Sequence, residues 1–143
     1  MTGLFKSLIA LTSVLAIAGC AGTGTKDKNA INALIQNADG NTAIVARSTG
    51  FAGSAPRVAV LMDDQQVASL GNNEVGSFTA SGGQHILSID FEGPEIGLRT
   101  NTLNYVNDPS KTQYFVITLE SNLLGADMTI SEVTASSFPS FVR

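Results

Sequence analysis

The sequence predicts an all-β protein, an antiparallel β-sandwich of about seven to eight strands in residues 41–135. Short alternating or apolar segments follow one another at hairpin spacing, and clusters of Gly, Asn, Asp and Ser separate them. No helical segment lies between them, so the helical crossovers of a parallel sheet are missing. Only 14% of the 143 residues are charged and 14 are glycine, a composition that suits strands joined by tight turns. A closed barrel is the alternative architecture that this pattern allows.

The predicted strands share alternation or runs of β-branched residues, and turn-forming residues end most of them. In chain order they cover residues 42–47, 57–62, 66–70, 74–80, 85–91, 102–106, 114–120 and 128–133. Because alternate side chains of a strand point to the same face, the pattern also predicts core residues. These are Val58, Val60, Leu87, Ile89, Phe115, Ile117 and Met128.

Residues 1–19 have the organisation of an export signal. Lys6 supplies the positive charge, residues 8–18 are apolar, and small residues lead to Cys20, the only cysteine of the chain. The apolar segment is shorter than the roughly 20 residues that a transmembrane helix needs. Residues 17–20 resemble the lipobox of bacterial lipoproteins, which implies cleavage before Cys20 and attachment of lipid, palmitate included, to that residue. An ordinary secretory signal with an incidental thiol is the alternative.

The residue after the cysteine predicts a location. In enterobacterial lipoproteins an aspartate there favours retention in the inner membrane, and this chain has Ala21 instead. By that resemblance, Cys20 tethers the protein to the bacterial cell envelope, at the outer membrane and facing the periplasm. The membrane is thus the first predicted partner.

Residues 20–40 are predicted to form the lipidated N-terminus and a tether. Residues 21–28 are small and polar, which is typical of a flexible linker. Residues 29–37 carry apolar side chains at helical spacing and predict a short helix capped by Asn29. At the other end, residues 136–143 form a tail that either folds back on the sheet or stays free as a ligand for a partner.

The amino-acid composition argues against some classes of partner other than the membrane. Without residues 1–19 the chain keeps twelve acidic and seven basic residues, and the basic ones are dispersed. This argues against a nucleic-acid partner, which would need a clustered basic surface. With one cysteine in the chain no internal disulfide can form, so stability has to come from packing.

Candidate catalytic groups are few. His85 is the only histidine, and a Ser-His-Asp hydrolase would have to use it. Its position after two glycines at the start of a strand favours a structural role in a turn. The close carboxylate pairs, Asp63 with Asp64 and Glu92 with Glu95, are expected to point apart. No calcium-loop or phosphate-loop spacing is present, so we predict no enzymatic activity, no metal and no cofactor.

A glycine-rich loop between the first two strands is the predicted contact with a partner. It contains Gly50, Phe51, Gly53 and Ser54. Phe51 either packs on the end of the sandwich as a plug or is exposed as an anchor for the partner. If it is an anchor, Phe51→Ala weakens partner capture and leaves the thermal midpoint nearly unchanged.

A family resemblance extends over residues 42–91. It rests on the segment Ala-Ile-Val-Ala-Arg, the loop at Gly50, the hairpin around Asp63 and Asp64, and the sequence Gly-Gln-His that opens the strand of His85. This stretch is similar to an uncharacterised family of bacterial lipoproteins, number twenty-eight forty-six among the domains of unknown function. It resembles more distantly the PEGA-type β-sandwich repeats of envelope proteins. The resemblance implies a small β-sandwich and supplies no active site.

Two residues depart from the pattern of these families. Asp64 occupies the position of a turn glycine, which allows the first hairpin a different turn type. Gly82 stands where the families have a proline.

Together these observations predict a non-catalytic envelope lipoprotein, a tethered β-sandwich that binds or scaffolds another envelope protein, peptidoglycan or a small ligand. A second hypothesis is the outer-membrane adaptor lipoprotein of a secretion system, which has a transthyretin-like sandwich. A third is a tethered hydrolase that uses His85. A lipocalin-like carrier is a weaker fourth, because the chain is short and has no tryptophan.

Overall fold

The alternating segments of the sequence form strands that pack as two β-sheets. The computed structural model describes residues 22–50, 56–93 and 98–142. The strands are β1 (Gly22–Thr23), β2 (Thr42–Ser48), β3 (Arg57–Met62), β4 (Gln65–Leu70), β5 (Val75–Thr79), β6 (Gly83–Glu92), β7 (Arg99–Thr100), β8 (Thr102–Asn107), β9 (Gln113–Asn122) and β10 (Gly125–Val133). Helix α1 spans Lys28–Gln36, and a 3₁₀ helix spans Phe138–Phe141.

The predicted all-β sandwich is confirmed. Sheet A has the order β1-β4-β3-β6-β8, and sheet B has the order β5-β2-β9-β10-β7. The eight longer strands coincide with the eight predicted ones, and their ends differ by at most three residues. The two-residue strands β1 and β7 were not predicted, because neither segment alternates.

The sheets are mixed, whereas the sequence predicted antiparallel ones. Neighbours β2 and β9 run parallel in the middle of sheet B, with Ile44 opposite Tyr114. The expectation that parallel pairing needs a helical crossover was wrong here. The chain leaves β2, passes through strands β3 to β8 of both sheets and returns to β9 in the same direction, so strands form the crossover in place of a helix.

The main core lies between the two sheets. All seven predicted core residues are buried there, and none is more than 4% exposed: Val58, Val60, Leu87, Ile89, Phe115, Ile117 and Met128. The ring of Phe115 packs edge-on against Tyr105 at a centroid distance of 5.1 Å. The strand phases read from the sequence are therefore correct.

A second apolar layer covers the outer face of sheet B. Ile44 and Val116 point outward from the sheet and pack against Ile31 of α1 and Phe138 of the 3₁₀ helix. Since β2 and β9 are covered on both faces, β2 has five consecutive buried residues. Of the two alternatives for the C-terminal tail, the structure shows the folded-back one: Phe138 is 1% exposed and contacts the ring of Tyr114.

Helix α1 begins one residue earlier than predicted. Its N-cap is Asp27, whose carboxylate accepts a hydrogen bond from the amide of Ala30 at 2.8 Å, so the expected cap at Asn29 was wrong. Asp27 provides the better cap because it stands three residues before an amide that lacks a partner in the helix. No helix in the described residues is long and apolar enough to cross a membrane.

The segment expected to be a flexible tether belongs to the sandwich. Strand β1 pairs in parallel with β4, Gly22 opposite Ala68, and Thr25 bridges to Val75 of β5. Gly24 makes this possible, because a Cβ there would lie 2.5 Å from Leu70 Cδ2. Composition alone did not reveal that two sheet edges were available to this segment.

The β3–β4 hairpin keeps the turn type that a glycine usually provides. Asp63 and Asp64, its two central residues, have φ values of 51° and 65°. Positive φ at both positions is the signature of a type I′ turn, which Asp tolerates better than most residues. Of the turn types that Asp64 allows, the hairpin therefore uses the one that a glycine usually provides. Asp63 is held in place because its amide donates to the carbonyl of Ile86 at 2.9 Å.

Candidate functional site

The strand directions place the candidate functional groups at two opposite ends of the sandwich. We define the loop pole as the end that contains Gly50, the 71–74 turn and the hairpin tip of Leu123 and Leu124. We define the anchor pole as the opposite end, which contains the turn of Asp63 and Asp64 and the starts of β2, β6 and β9. Strand β1 points towards the loop pole, since it is parallel to β4, and it pairs with Ala68 and Ser69 near the end of that strand.

Arg47 fixes the base of the predicted contact loop. It lies near the end of β2 and is 0% exposed. Its Nε donates to Thr49 Oγ1 at 3.2 Å, before the loop, and its guanidinium also donates to the carbonyl of Pro56 at 2.6 Å, after the loop. A third hydrogen bond reaches the carbonyl of Leu70 at 3.0 Å. One buried side chain therefore ties together both ends of the loop and the adjacent β4.

A second arginine lies close to this network at the surface. Arg57 forms an ion pair with Glu74, with 2.9 Å between NH2 and Oε2, and Glu74 Oε2 also accepts from the amide of Gly71 at 2.7 Å. Burial alone would raise the pKa of Glu74, but these hydrogen bonds outweigh it and leave the pKa lowered. Burial, aided by the charge of Arg57, lowers the pKa of Arg47 to about 10. Arg47 therefore remains charged at neutral pH.

Asn72 positions the first residue of the loop. Its Nδ2 donates to the carbonyl of Gly50 at 2.9 Å, and its Oδ1 accepts from Thr49 Oγ1 at 2.9 Å. Gly50 has φ of 65°, a backbone conformation that favours glycine. The loop therefore starts from a fixed backbone position at the loop pole.

The other predicted site residues lie outside the described residues. These are Phe51, Gly53 and Ser54 of the loop, and Cys20, the predicted lipidation site. The choice between a plug and an exposed anchor for Phe51 therefore stays open. The structure brings Gly50 together with Arg47, Thr49 and Asn72, none of which the sequence pointed to.

The loop pole also carries an exposed apolar tip that sequence reasoning missed. Leu123 is 105% exposed and Leu124 is 90% exposed at the β9–β10 turn. The turn is ordered by Asn122, whose Oδ1 accepts from the amide of Leu124 at 2.9 Å and whose Nδ2 donates to Asp127 at 3.0 Å. The sequence feature that could have revealed this tip is a pair of leucines at positions where a turn usually has Asn, Gly or Asp. Against the described residues they bury almost none of their surface, so they contribute little to the packing seen there.

At the anchor pole, His85 joins two turns. Its Nδ1 lies 2.6 Å from Asp63 Oδ2, and its Nε2 lies 2.7 Å from the carbonyl oxygen of Ser81. Both partners are acceptor oxygens, so this geometry favours the charged imidazole, in which both ring nitrogens donate. The hydrogen bond with Asp63, followed by that with Ser81, raises the pKa of His85, and the same contact lowers the pKa of Asp63. Neither nitrogen is left to accept a proton from a nucleophile.

A cavity of about 610 Å³ adjoins this histidine. Asp63, Tyr105 and Glu132 lie among its lining residues, and the described lining includes no serine, threonine or cysteine. The other carboxylate pair has one member, Glu95, outside the described residues. Within the described part of the chain, no three His, Cys, Asp or Glu residues lie close enough to hold a metal ion.

Comparison with known proteins adds no relative. A scan against protein-family models found no match, and a search of the curated proteins found no similar sequence. The resemblance to the lipoprotein family of unknown function stays a prediction.

Proposed function

We propose that this protein is a non-catalytic lipoprotein of the bacterial cell envelope that binds an envelope protein through its loop pole. Cys20 carries the lipid, and the protein is anchored at the outer membrane and faces the periplasm. The proposal joins the signal sequence to the geometry of the two poles.

The position of β1 is the main observation that supports this proposal. The chain enters the sandwich at Gly22 and runs towards the loop pole, so Cys20 precedes the sheet by two residues. Two residues span at most about 7 Å, which leaves no flexible arm between the lipid and the domain. Gly22 lies opposite Ala68, two residues before β4 ends at Leu70, so β1 itself lies beside the loop-pole half of that strand. A lipid on Cys20 would therefore hold the sandwich close to the membrane surface.

The chemistry of the loop pole fits a protein partner. Leu123 and Leu124 expose two large apolar side chains on an ordered turn, and exposed apolar groups of this kind mark contact sites. Peptidoglycan is polar along its glycan and offers such side chains little apolar surface. The loop that starts at Gly50 lies at the same pole, on a base held by Arg47 and Asn72.

Absence of catalysis is supported by the state of His85. A hydrolase needs a histidine nitrogen that can accept a proton from a nucleophile. Both nitrogens of His85 donate to oxygen atoms, and the oxygen of Ser81 that it contacts is the backbone carbonyl and not the hydroxyl.

The anchor is tested by metabolic labelling with radioactive palmitate. We expect label on the full chain in the membrane fraction, and none on Cys20→Ser. A wild-type protein that takes up no label and fractionates with free periplasmic proteins would contradict the proposal.

The contact is tested by cross-linking in intact envelopes followed by pull-down. A double variant, Leu123→Ser with Leu124→Ser, should lose the captured protein and keep the wild-type thermal midpoint, because both side chains are exposed. Val106→Ser is the matched control, since Val106 is 60% exposed but lies on β8, away from the loop pole. Capture that depends on Val106 and not on the leucines would transfer the contact to the face beside His85. Capture of peptidoglycan fragments instead of protein would contradict the partner class.

A further inference from the structure

A groove at the edge of the sandwich lies beside the point where the described chain begins. It has a volume of about 870 Å³. Its walls include Gly22 and Thr23 of β1, Ala33 and Leu34 of α1, Val67 of β4 and Phe78 of β5. Leu34, Val67 and Phe78 supply its large apolar side chains, and polar residues that include Gln65, Gln66 and Ser77 line the rest. The volume is in the range of sites that bind small ligands.

The groove exists because two sheet edges diverge. Strands β4 and β5 meet at the 71–74 turn, and β1 fills the narrow part between them. Among the described residues, β1 pairs only with Ala68 and Ser69 of β4, so the edge at Gln65–Val67 has no strand beside it. At Val67 the β3–β4 register shifts by one residue, a bulge that bends the strand at this place.

The floor of the groove reaches the main core. Phe78 is 7% exposed, belongs to the cluster between the sheets and stacks on Phe115 with 6.4 Å between ring centroids. An apolar group that contacts Phe78 in the groove would therefore continue the core.

The direction of β1 points to the occupant. Gly22 lies opposite Ala68, so one step back along the parallel register leads to Val67 and a second to Gln66, both of which line the groove. Cys20 is two residues before Gly22, a distance of at most about 7 Å along the chain. A lipid attached to Cys20 would therefore be within reach of the groove.

We propose that the groove between α1 and the edges of β4 and β5 holds one acyl chain of the lipid attached to Cys20. This rests on the proposed lipidation. Moving an acyl chain from the bilayer onto the apolar side chains of the groove costs little, whereas an empty groove leaves the half-buried Leu34 and Val67 partly in contact with water. Two acyl chains already anchor a protein stably. The remaining chains of a triacylated cysteine therefore hold the protein in the membrane.

The test uses a palmitate analogue with a photoactivatable diazirine, fed to cells that express the full chain. After irradiation the purified protein is digested and the cross-linked residues are mapped by mass spectrometry. We expect cross-links to Leu34, Val67 and Phe78. The protein could instead carry the analogue but be cross-linked only to membrane lipid or to residues of the loop pole. That result would contradict acyl-chain binding in the groove and would leave the proposed lipid anchor unaffected. A protein that carries no analogue at all overturns both proposals.

A groove-filling variant sharpens this test. Ala33→Trp places an indole in the groove, and Asn32→Trp is the matched control, because Asn32 is the adjacent exposed residue of α1 and does not line the groove. We expect Ala33→Trp to reduce cross-links to Val67 and Phe78 about tenfold or more, because the indole occupies the space that the chain needs. Asn32→Trp should keep them. Equal cross-linking in the two variants overturns the proposal.

Discussion

At each pole the hydrogen bonds of one polar side chain hold neighbouring segments together, Arg47 at the loop pole and His85 at the anchor pole. We call each of these hydrogen-bonded groups a tie, and the two ties differ in burial. At the loop pole Arg47 is 0% exposed and bonds to the backbone on both sides of the contact loop. At the anchor pole the side chains of His85 and Asp63 are 10% and 51% exposed. The buried tie bonds to carbonyl oxygens, which do not titrate, and the exposed tie joins two groups that do. The base of the loop should therefore be stable over a wide pH range, while the turns at the anchor pole respond to pH.

The largest expected effect comes from breaking the buried tie. Arg47→Met should lower the free energy of unfolding by about 3–6 kcal/mol, because the carbonyls of Leu70 and Pro56 each lose a charged donor worth roughly 1.5–3 kcal/mol. Denaturant unfolding measures this. Arg57→Met is the matched control, since Arg57 is 39% exposed in its ion pair, and about 1 kcal/mol is expected for a pair at the surface. If Arg57→Met lowers the free energy of unfolding more than Arg47→Met does, burial does not determine which arginine contributes more to stability.

This contrast shows which parts of the molecule the sequence could predict. The eight long strands and the seven core residues follow from alternation, which is a local property of each segment. Arg47 ends a predicted strand, but nothing in that segment shows whether its side chain points into solvent or into a network. Its burial depends on Pro56 and Leu70, carbonyls that only the folded chain brings within reach.

The missed pairings have the same origin. The parallel contact of β2 with β9 joins segments that are separated in the chain by the six strands β3 to β8. The docking of Gly22 and Thr23 depends on an edge of β4 that exists only after folding. In the candidate site, Gly50 could be predicted from its loop, whereas Asn72 and the exposed leucines could not, because their roles depend on the position of the turns.

Truncation of an aliphatic side chain in the core gives a reference value for the stability losses expected at the two arginines. Ile117 is 0% exposed between the sheets, and Ile117→Ala should cost on the order of 2–4 kcal/mol, the usual range for such a truncation. Ile86→Ala is the matched control: Ile86 is 51% exposed on β6, and a change of less than about 0.5 kcal/mol is expected. The same unfolding measurement serves both. A loss at Ile117 as small as that at Ile86 would contradict the assigned strand phase.

The smallest expected effect is at the anchor pole, and it depends on pH. The pKa of His85 is raised above its ordinary 6.5, so its contact with Asp63 contributes its full stabilisation below pH 6.5. That stabilisation is lost as the pH rises through the raised pKa of the folded protein. The pKa of Asp63 is lowered below its ordinary 3.8, so its share is lost only as the pH falls through that lowered value. Burial raises the pKa of the adjacent Tyr105 to about 12, so this phenol stays neutral throughout.

Thermal midpoints of the wild type and of His85→Gln, followed from about pH 5 to about pH 9, measure this contribution. Glutamine can still donate a hydrogen bond to Asp63 but carries no charge. The wild type should therefore exceed the variant at the acidic end, and the two curves should converge as the pH rises above 6.5, where His85 loses its proton. A constant difference over the whole range would mean that the imidazole is already neutral at the acidic end. The tie at the anchor pole would then be as insensitive to pH as that of Arg47.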